Sequence, residues 1–295
     1  MSLLAIAACG EAKTEAPTPP PAGQTQAQPA LWKISDDDTT VYLFGTVHVL
    51  PPELSWHSPA VDKALDEAQA VYFETDTEGD PLAFRELVAR LGQYGPSEQL
   101  SDHLSSGERK KLEAALAKLN LPIVAINAMR PWYAGVVISE AVVRNAGYDA
   151  SSGVENVLRP EARREGKDIR FLESIEEQLS SFATLPENVQ LRFLIEGLDD
   201  IDGAAEGLQT LVEAWKSGDL PRLKRILIDD DMARIPELYD ALLTNRNANW
   251  APEIATLMKT EPGVFLVAVG AAHLLGKDSV LEMLKSLGYV SERVE

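Results

Sequence analysis

A chain of 295 residues with 45% hydrophobic and 25% charged residues has the composition of a globular protein, large enough to bury a core without a metal or disulfide to hold it. Forty-six acidic against twenty-seven basic residues give a formal charge of -19, which leaves no concentrated basic face for nucleic acid and no basic helix for anionic lipid. The single cysteine, Cys9, rules out an intramolecular disulfide.

In chain order, LLAIAACG (residues 3–10) is an apolar stretch ending in two alanines and Cys9. It reads as a signal remnant with a lipobox, although its apolar run is short and no Lys or Arg precedes it. Residues 11–30, EAKTEAPTPPPAGQTQAQPA, hold almost nothing large and apolar and read as a disordered spacer. No later stretch is long and apolar enough to span a bilayer. The expected location is therefore the periplasmic side of the cell envelope, with membrane contact only through a lipid on Cys9.

One folded domain is expected over residues 31–295. TTVYLF (39–44) predicts a strand. Ser58 caps a helix with Pro59 at its first position and Val61, Leu65 and Ala68 on one face. AVYFE (70–74) is a second strand, and Asp80-Pro81 opens another helix. Ser105 with Glu108 forms a capping box before a helix ending near Asn120, and Pro131 starts the next. DIRFLE (168–173) is a third strand. Residues 175–260 are almost wholly helical in pattern, with breaks at Pro186, Gly218-Asp219 and Pro236. GVFLVAVG (263–270) is a continuous apolar run suited to burial on both faces. A helix (278–287) and a strand (289–294) close the chain. Strands near both ends with helices between them predict an α/β domain, with α+β as the alternative: a central mixed sheet drawing on both chain ends and carrying a large helical insertion.

GTVH (45–48) and GAAH (270–273) repeat one pattern: an apolar strand, a glycine, two small or β-branched residues, a histidine, then two aliphatics. The carboxyl ends of buried parallel strands face the crevice where open α/β sheets bind ligands, and glycine there permits a sharp turn or close approach. If the two strands are neighbours, His48 and His273 converge, and two neutral imidazoles at a crevice are what a divalent transition metal requires. A third ligand is often a carboxylate. Glu74 ends an apolar run and is the first candidate; Asp76 follows in a more solvated loop, and Glu173 ends IRFLE in the same manner. Arg246, in LLTNRNANW, is the leading cation for a substrate carboxylate or an oxyanion, with Arg130 in NAMRPWY as its rival. His57 precedes a helix where it could line an entrance, and His103 reads as surface. There is no HExxH, CxxC, GxGxxG, P-loop or GxSxG motif.

These phrases, together with LWKISDDDTTVYLFGTVHVLP, AVYFETD, RPWYA, GVENVL, FLESIEEQL, AWKSGDL and LLTNRNANWAPEI, resemble the bacterial TraB/GumN family within the wider Tiki-like superfamily, in order from about residue 31 to the C-terminus. The resemblance implies an α/β fold like that of erythromycin-esterase and ChaN-like proteins. It also implies metal-dependent proteolysis, as in the superfamily's animal members, with manganese or cobalt favoured. On this chain the implied functional set is Gly45, His48, Glu74, Arg246, Gly270 and His273.

The leading expectation is a metal-dependent hydrolase of peptides or another small substrate. His48, His273 and Glu74 would hold a divalent ion (Mn, Co or Zn) bordered by Gly45 and Gly270. Glu74 or Glu173 would take a proton, and Arg246 would stabilise negative charge. One alternative is an envelope lipoprotein that binds a peptide or haem-like ligand without turnover. Another is a structural protein whose histidines only pack.

Overall fold

A computed structural model describes residues 27–295. Cys9 and most of the spacer lie outside the described residues. The last spacer residues do not behave as spacer: Ala27 and Ala30 are buried, and the Gln28 N–H donates to the Lys216 carbonyl. Ala27, Pro29 and Ala30, all buried, together with that hydrogen bond seat residues 27–30.

Six strands form one mixed sheet: β1 Leu31–Ser35, β2 Thr39–Thr46, β3 Ala70–Phe73, β4 Asp168–Phe171, β5 Gly263–Gly270 and β6 Glu292–Arg293. Their order is β4-β3-β5-β2-β1-β6. The first four in that order run parallel, while β1 is antiparallel to both β2 and β6. The architecture is α/β, and a large helical insertion separates β4 from β5.

β5 shows why the sheet holds. Alternate side chains of a strand point to opposite faces. Phe265, Val267 and Val269 pack with Trp250, Ile254, Val280 and Leu284 from the helices Asn245–Thr260 and Val280–Ser286. Leu266 and Ala268 join Phe44, Val71 and Phe73 in the cluster on the other face. A strand covered on both faces needs no polar alternation, so its sequence is one apolar run. Full burial of each large side chain stabilises the fold by roughly 1.5–3 kcal/mol. A separate cluster, including Leu112, Leu116, Ile138, Val142, Leu194 and Leu198, is the core of the helical layer beyond the sheet.

Two expectations change in detail. The closing strand is only Glu292–Arg293, both exposed, because β6 pairs with β1 at two positions alone. β1 is an additional strand: its five residues fold back on β2 through a turn in which Asp36 Oδ1 accepts the Thr39 N–H.

Candidate functional site

Parallel pairing brings the carboxyl ends of β2, β3, β4 and β5 to one edge. Thr46 stands opposite Gly270, and Phe73 is paired with both Ala268 and Phe171. The ladder continues beyond β3 and β4, where Glu173 N donates to the Glu74 carbonyl at 2.9 Å. Chain segments from four regions therefore end within one crevice, and β5 turns there into a short 3-10 segment, Ala271–Leu274, that carries His273.

Arg246 organises this edge. It enters from the helix Asn245–Thr260, directly after a π-helical stretch Asp240–Thr244. Such bulges re-aim side chains and are frequent at functional sites. Its Nη2 donates to Glu74 Oε2 and to Glu173 Oε1, each at 2.6 Å. Nε donates to both Glu173 oxygens at 3.0 and 3.1 Å. Nη1 donates to the Leu242 carbonyl at 3.2 Å and reaches His273 Nε2 at 3.1 Å. The guanidinium lies over the Trp250 ring, 4.6 Å from its centroid. Burial works against all three charges, and the pairing outweighs it for Arg246 and Glu74. Arg246 is held above its ordinary value by Glu74 and Glu173. Glu74 is held well below the usual carboxylate range by Arg246, the two histidines and the Gly270 N–H, which donates to its Oε1 at 2.7 Å. For Glu173 burial wins, helped by the Glu74 charge, and its carboxyl is raised.

The two histidines differ. His273 is 3% exposed. Its Nδ1 lies 2.6 Å from Asn247 Oδ1, and the Asn247 amide nitrogen donates to the Asp278 carbonyl at 2.8 Å. That second bond orients the amide, so the oxygen faces the ring and Nδ1 must carry the proton. His273 Nε2 is then an acceptor, facing Arg246. Burial, together with Arg246 and His48, pushes the ring down to about 3 despite nearby Glu74. The His48 side chain is 30% exposed, and its Nδ1 lies 2.9 Å from Glu155 Oε1. Burial opposes its charge, but the Glu155 carboxylate overrides burial and lifts the ring to about 9. Glu155 also accepts a bond from the Thr46 hydroxyl. Its burial would raise it, but His48 and these hydrogen bonds hold it below its ordinary value.

Gly270 is where close approach is required. A Cβ placed there would stand 3.2 Å from Glu74 Oε1, 3.3 Å from His48 Nε2 and 3.7 Å from the His273 ring. The two imidazoles and the carboxylate thus border one small space. Imidazole nitrogens with a carboxylate are a suitable donor set for a divalent transition ion. In chemistry and closeness the residues present fit such an ion. They are not a ready-made cage: no three His, Cys, Asp or Glu groups among the described residues are set as ligands around one point. Arg246 Nη1 meanwhile occupies His273 Nε2.

A cavity of about 110 Å³ opens beside this space. Its polar wall includes His48, Glu74, Glu155, Arg159, Arg246 and His273, and its apolar wall includes Phe182, Leu211, Leu227 and Leu242. An engineered apolar cavity of roughly 150 Å³ takes up benzene, so this one has room for about one aliphatic side chain.

Of the residues singled out from the sequence, His48, Glu74, Arg246, Gly270 and His273 border the cavity. Glu173 does not line it and holds Arg246 from behind. Gly45 turns away: its Cβ would meet Ala271 Cα at 3.3 Å, and its carbonyl accepts the Trp215 indole N–H. The two glycines are one step out of register, since Thr46, not Gly45, stands opposite Gly270. Arg130 lies elsewhere, over the Tyr94 ring. The Asp76 side chain is exposed, 3.9 Å from Arg159. His57 pairs with Asp62, and His103 bridges Glu98 and Glu187. Sequence reasoning missed Glu155, Arg159 and Asn247. GVENVL contains the first, and Asn247 follows Arg246 directly, but neither carries a strand-tip signature.

The family whose sequence model matches this chain is the TraB/PrgY/gumN family, over residues 30–293. Among curated proteins, the chain is 24% identical to the uncharacterized protein YbaP of Escherichia coli, covering 83% of this chain and 87% of that one. It is 26% identical to an uncharacterized protein of Treponema pallidum, covering 86% and 80%. It is 24% identical to a protein of Danio rerio named metalloprotease TIKI1, covering 91% of this chain and 64% of that one. No solved structure gives a significant match. No helix among the described residues is long and apolar enough to cross a membrane.

Proposed function

We propose that this chain, which belongs to the TraB/PrgY/gumN family, is a metal-dependent hydrolase acting on peptides. One observation carries the reading: His48 Nε2, Glu74 Oε1 and the His273 ring all lie within 4 Å of the space a Gly270 Cβ would take. Similarity to a protein named metalloprotease supports it. His48 and His273, through Nε2, and Glu74 would hold the ion, with manganese, cobalt and zinc as candidates. When bound, such an ion polarises a carbonyl and brings the pKa of its water toward neutrality.

The chain's own residues do the rest. Arg246 is positioned by Glu173, and its Nη1 must leave His273 Nε2 before that nitrogen can serve as a ligand. The freed N–H then meets the carbonyl oxygen on which negative charge develops. As Arg246 turns to that oxygen, Glu74 Oε2 is released from its guanidinium and is free to serve as the base. Water oxygen bonds to the carbonyl carbon, and its proton passes to Glu74. The proton then goes to the leaving amine nitrogen as the C–N bond breaks. The apolar wall takes up a neighbouring side chain of the substrate.

The test is metal analysis of the purified protein, with hydrolysis of a mixed peptide pool after addition of Mn2+, Co2+ or Zn2+. His273→Ala is expected to lose both metal and turnover. Unchanged metal content and unchanged hydrolysis in that variant overturn the reading. The position of Arg246 between the donors favours one second reading, a binding protein that captures a peptide or haem-like ligand without turnover. Stoichiometric capture with no cleavage would establish it. We also propose a location at the periplasmic face of the envelope, with a tether through a lipid on Cys9. Incorporation of labelled palmitate, abolished by Cys9→Ser, checks this.

A further inference from the structure

We infer that Glu155 is a positioning residue, which acts through His48 by fixing which ring nitrogen faces the cavity. The inference rests on the role proposed for His48, but one of its two tests does not. Glu155 stands in the first turn of the helix Val154–Arg164, where a negative charge is favoured by the exposed N–H groups. An ionised carboxylate only accepts hydrogen bonds, so the His48 nitrogen facing it, Nδ1, carries a proton. Nε2 is left pointing at the space beside Gly270, as the ligand role requires. The Thr46 hydroxyl donates to the same carboxylate oxygen and fixes its rotamer.

The backbone makes this contact rigid. The segment after β2 and the segment before the helix run side by side. Leu50 and Asp149 exchange N–H to carbonyl bonds at 3.3 and 3.0 Å, and Val154 N donates to the Val47 carbonyl at 3.0 Å. Gly153 lies so close that a Cβ would overlap the His48 carbonyl. Residues 153–155 therefore clamp the strand tip that bears His48, and only glycine allows that approach. A carboxylate behind a ligating imidazole fixes its orientation, and losing one typically weakens metal binding 10–100-fold.

Two readouts test this on the full chain, one of which needs no metal. In metal-free protein the His48 Nδ1–H proton should give a downfield, slowly exchanging NMR resonance in either charge state of the ring. Glu155→Gln keeps an acceptor oxygen at the same reach and should retain it. Glu155→Ala should lose it, as should Glu155→Asp, one methylene too short. Titration with Mn2+ should show 10–100-fold weaker binding for the alanine and aspartate variants, with most of the affinity recovered in Glu155→Gln. If Glu155→Asp outperforms Glu155→Gln, charge and not position matters, and the inference is overturned. An unchanged His48 resonance in Glu155→Ala overturns it as well. Should Glu155→Ala fail to fold, the Asp and Gln comparison still decides. If the wild type binds no Mn2+ while the resonance follows Glu155, the metal reading falls and the positioning role stands.

Discussion

His48 and His273 sit in nearly the same four-residue phrase at the ends of adjacent parallel strands, and the fold gives them opposite chemistry. Behind His48 stands a carboxylate, Glu155, with the ring partly open to solvent, and the ring is lifted to about 9. Behind His273 stands a neutral amide, Asn247, with a guanidinium in front and almost no solvent, and the ring is pushed down to about 3. Both partners hold a proton on Nδ1, so both rings turn Nε2 to the crevice; His48, lifted to about 9, carries a second proton on Nε2 at neutral pH, which a ligating ion must displace. The comparison separates two things a partner does: it fixes a tautomer through geometry, and it sets a charge through its own charge.

The most disruptive way to break the contrast is to remove the cation that His273 faces. Arg246→Ala leaves Glu74 and Glu173 as buried carboxylates side by side, and should lower the unfolding free energy by about 3–5 kcal/mol in a denaturant titration. Arg246→Lys should rescue this poorly, because an ammonium cannot reproduce the planar fork.

The two glycines divide function from packing. A methyl at Gly270 falls between Glu74 Oε1 and His48 Nε2, so Gly270→Ala should reduce hydrolysis by about 100-fold, the loss typical of a misplacement near 1 Å. A methyl at Gly45 meets Ala271 and Leu274 first, so Gly45→Ala should cost about 1 kcal/mol of stability and leave Mn2+ affinity unchanged. Parallel measurement of peptide hydrolysis, Mn2+ affinity and unfolding in both variants checks the division.

Exchanging the partners should move the two pKa values toward each other. Asn247→Asp places a carboxylate behind His273 and should raise its pKa by about 1–3, read from ring resonances in an NMR titration. Glu155→Gln should bring His48 down from about 9 to its ordinary value or lower, since burial is then unopposed.

The same contrast should show in the pH profile of stability in metal-free protein. His273 has a folded pKa of about 3 against an ordinary 6.5, so its contribution is complete above 6.5 and is lost as pH falls toward 3. His48 has a folded pKa of about 9, so its contribution is complete below 6.5 and is lost as pH rises through 9. Thermal unfolding across pH should therefore lose its alkaline slope in His48→Ala and part of its acid slope in His273→Ala.

Much of the crevice was legible because strand tips are a local signal. An apolar run that ends in glycine and then histidine, or in a glutamate, marks where a buried strand reaches a sheet edge, and parallel strands share that edge. The pattern gave His48, His273 and Glu74, and the polar sequence around Arg246 gave the cation. It misplaced Glu173 at the cavity, because a strand-tip position does not say whether another side chain will stand in front. It paired Gly45 with Gly270, which the one-residue offset of β2 against β5 separates. Glu155 and Asn247 were illegible as partners, since each reaches its histidine through the docking of a helix and not through any spacing along the chain.

The amino-acid order by itself determined the four parallel strands, the caps and the two glycine–histidine endings, since side-chain period, proline and glycine act over a few residues. Only the tertiary structure decided that β2 and β5 are neighbours, that Arg246 stands between two buried glutamates, and that one histidine is backed by a carboxylate and the other by an amide. Charge and tautomer depend on groups within a few ångströms in space, and those groups come from distant parts of the chain.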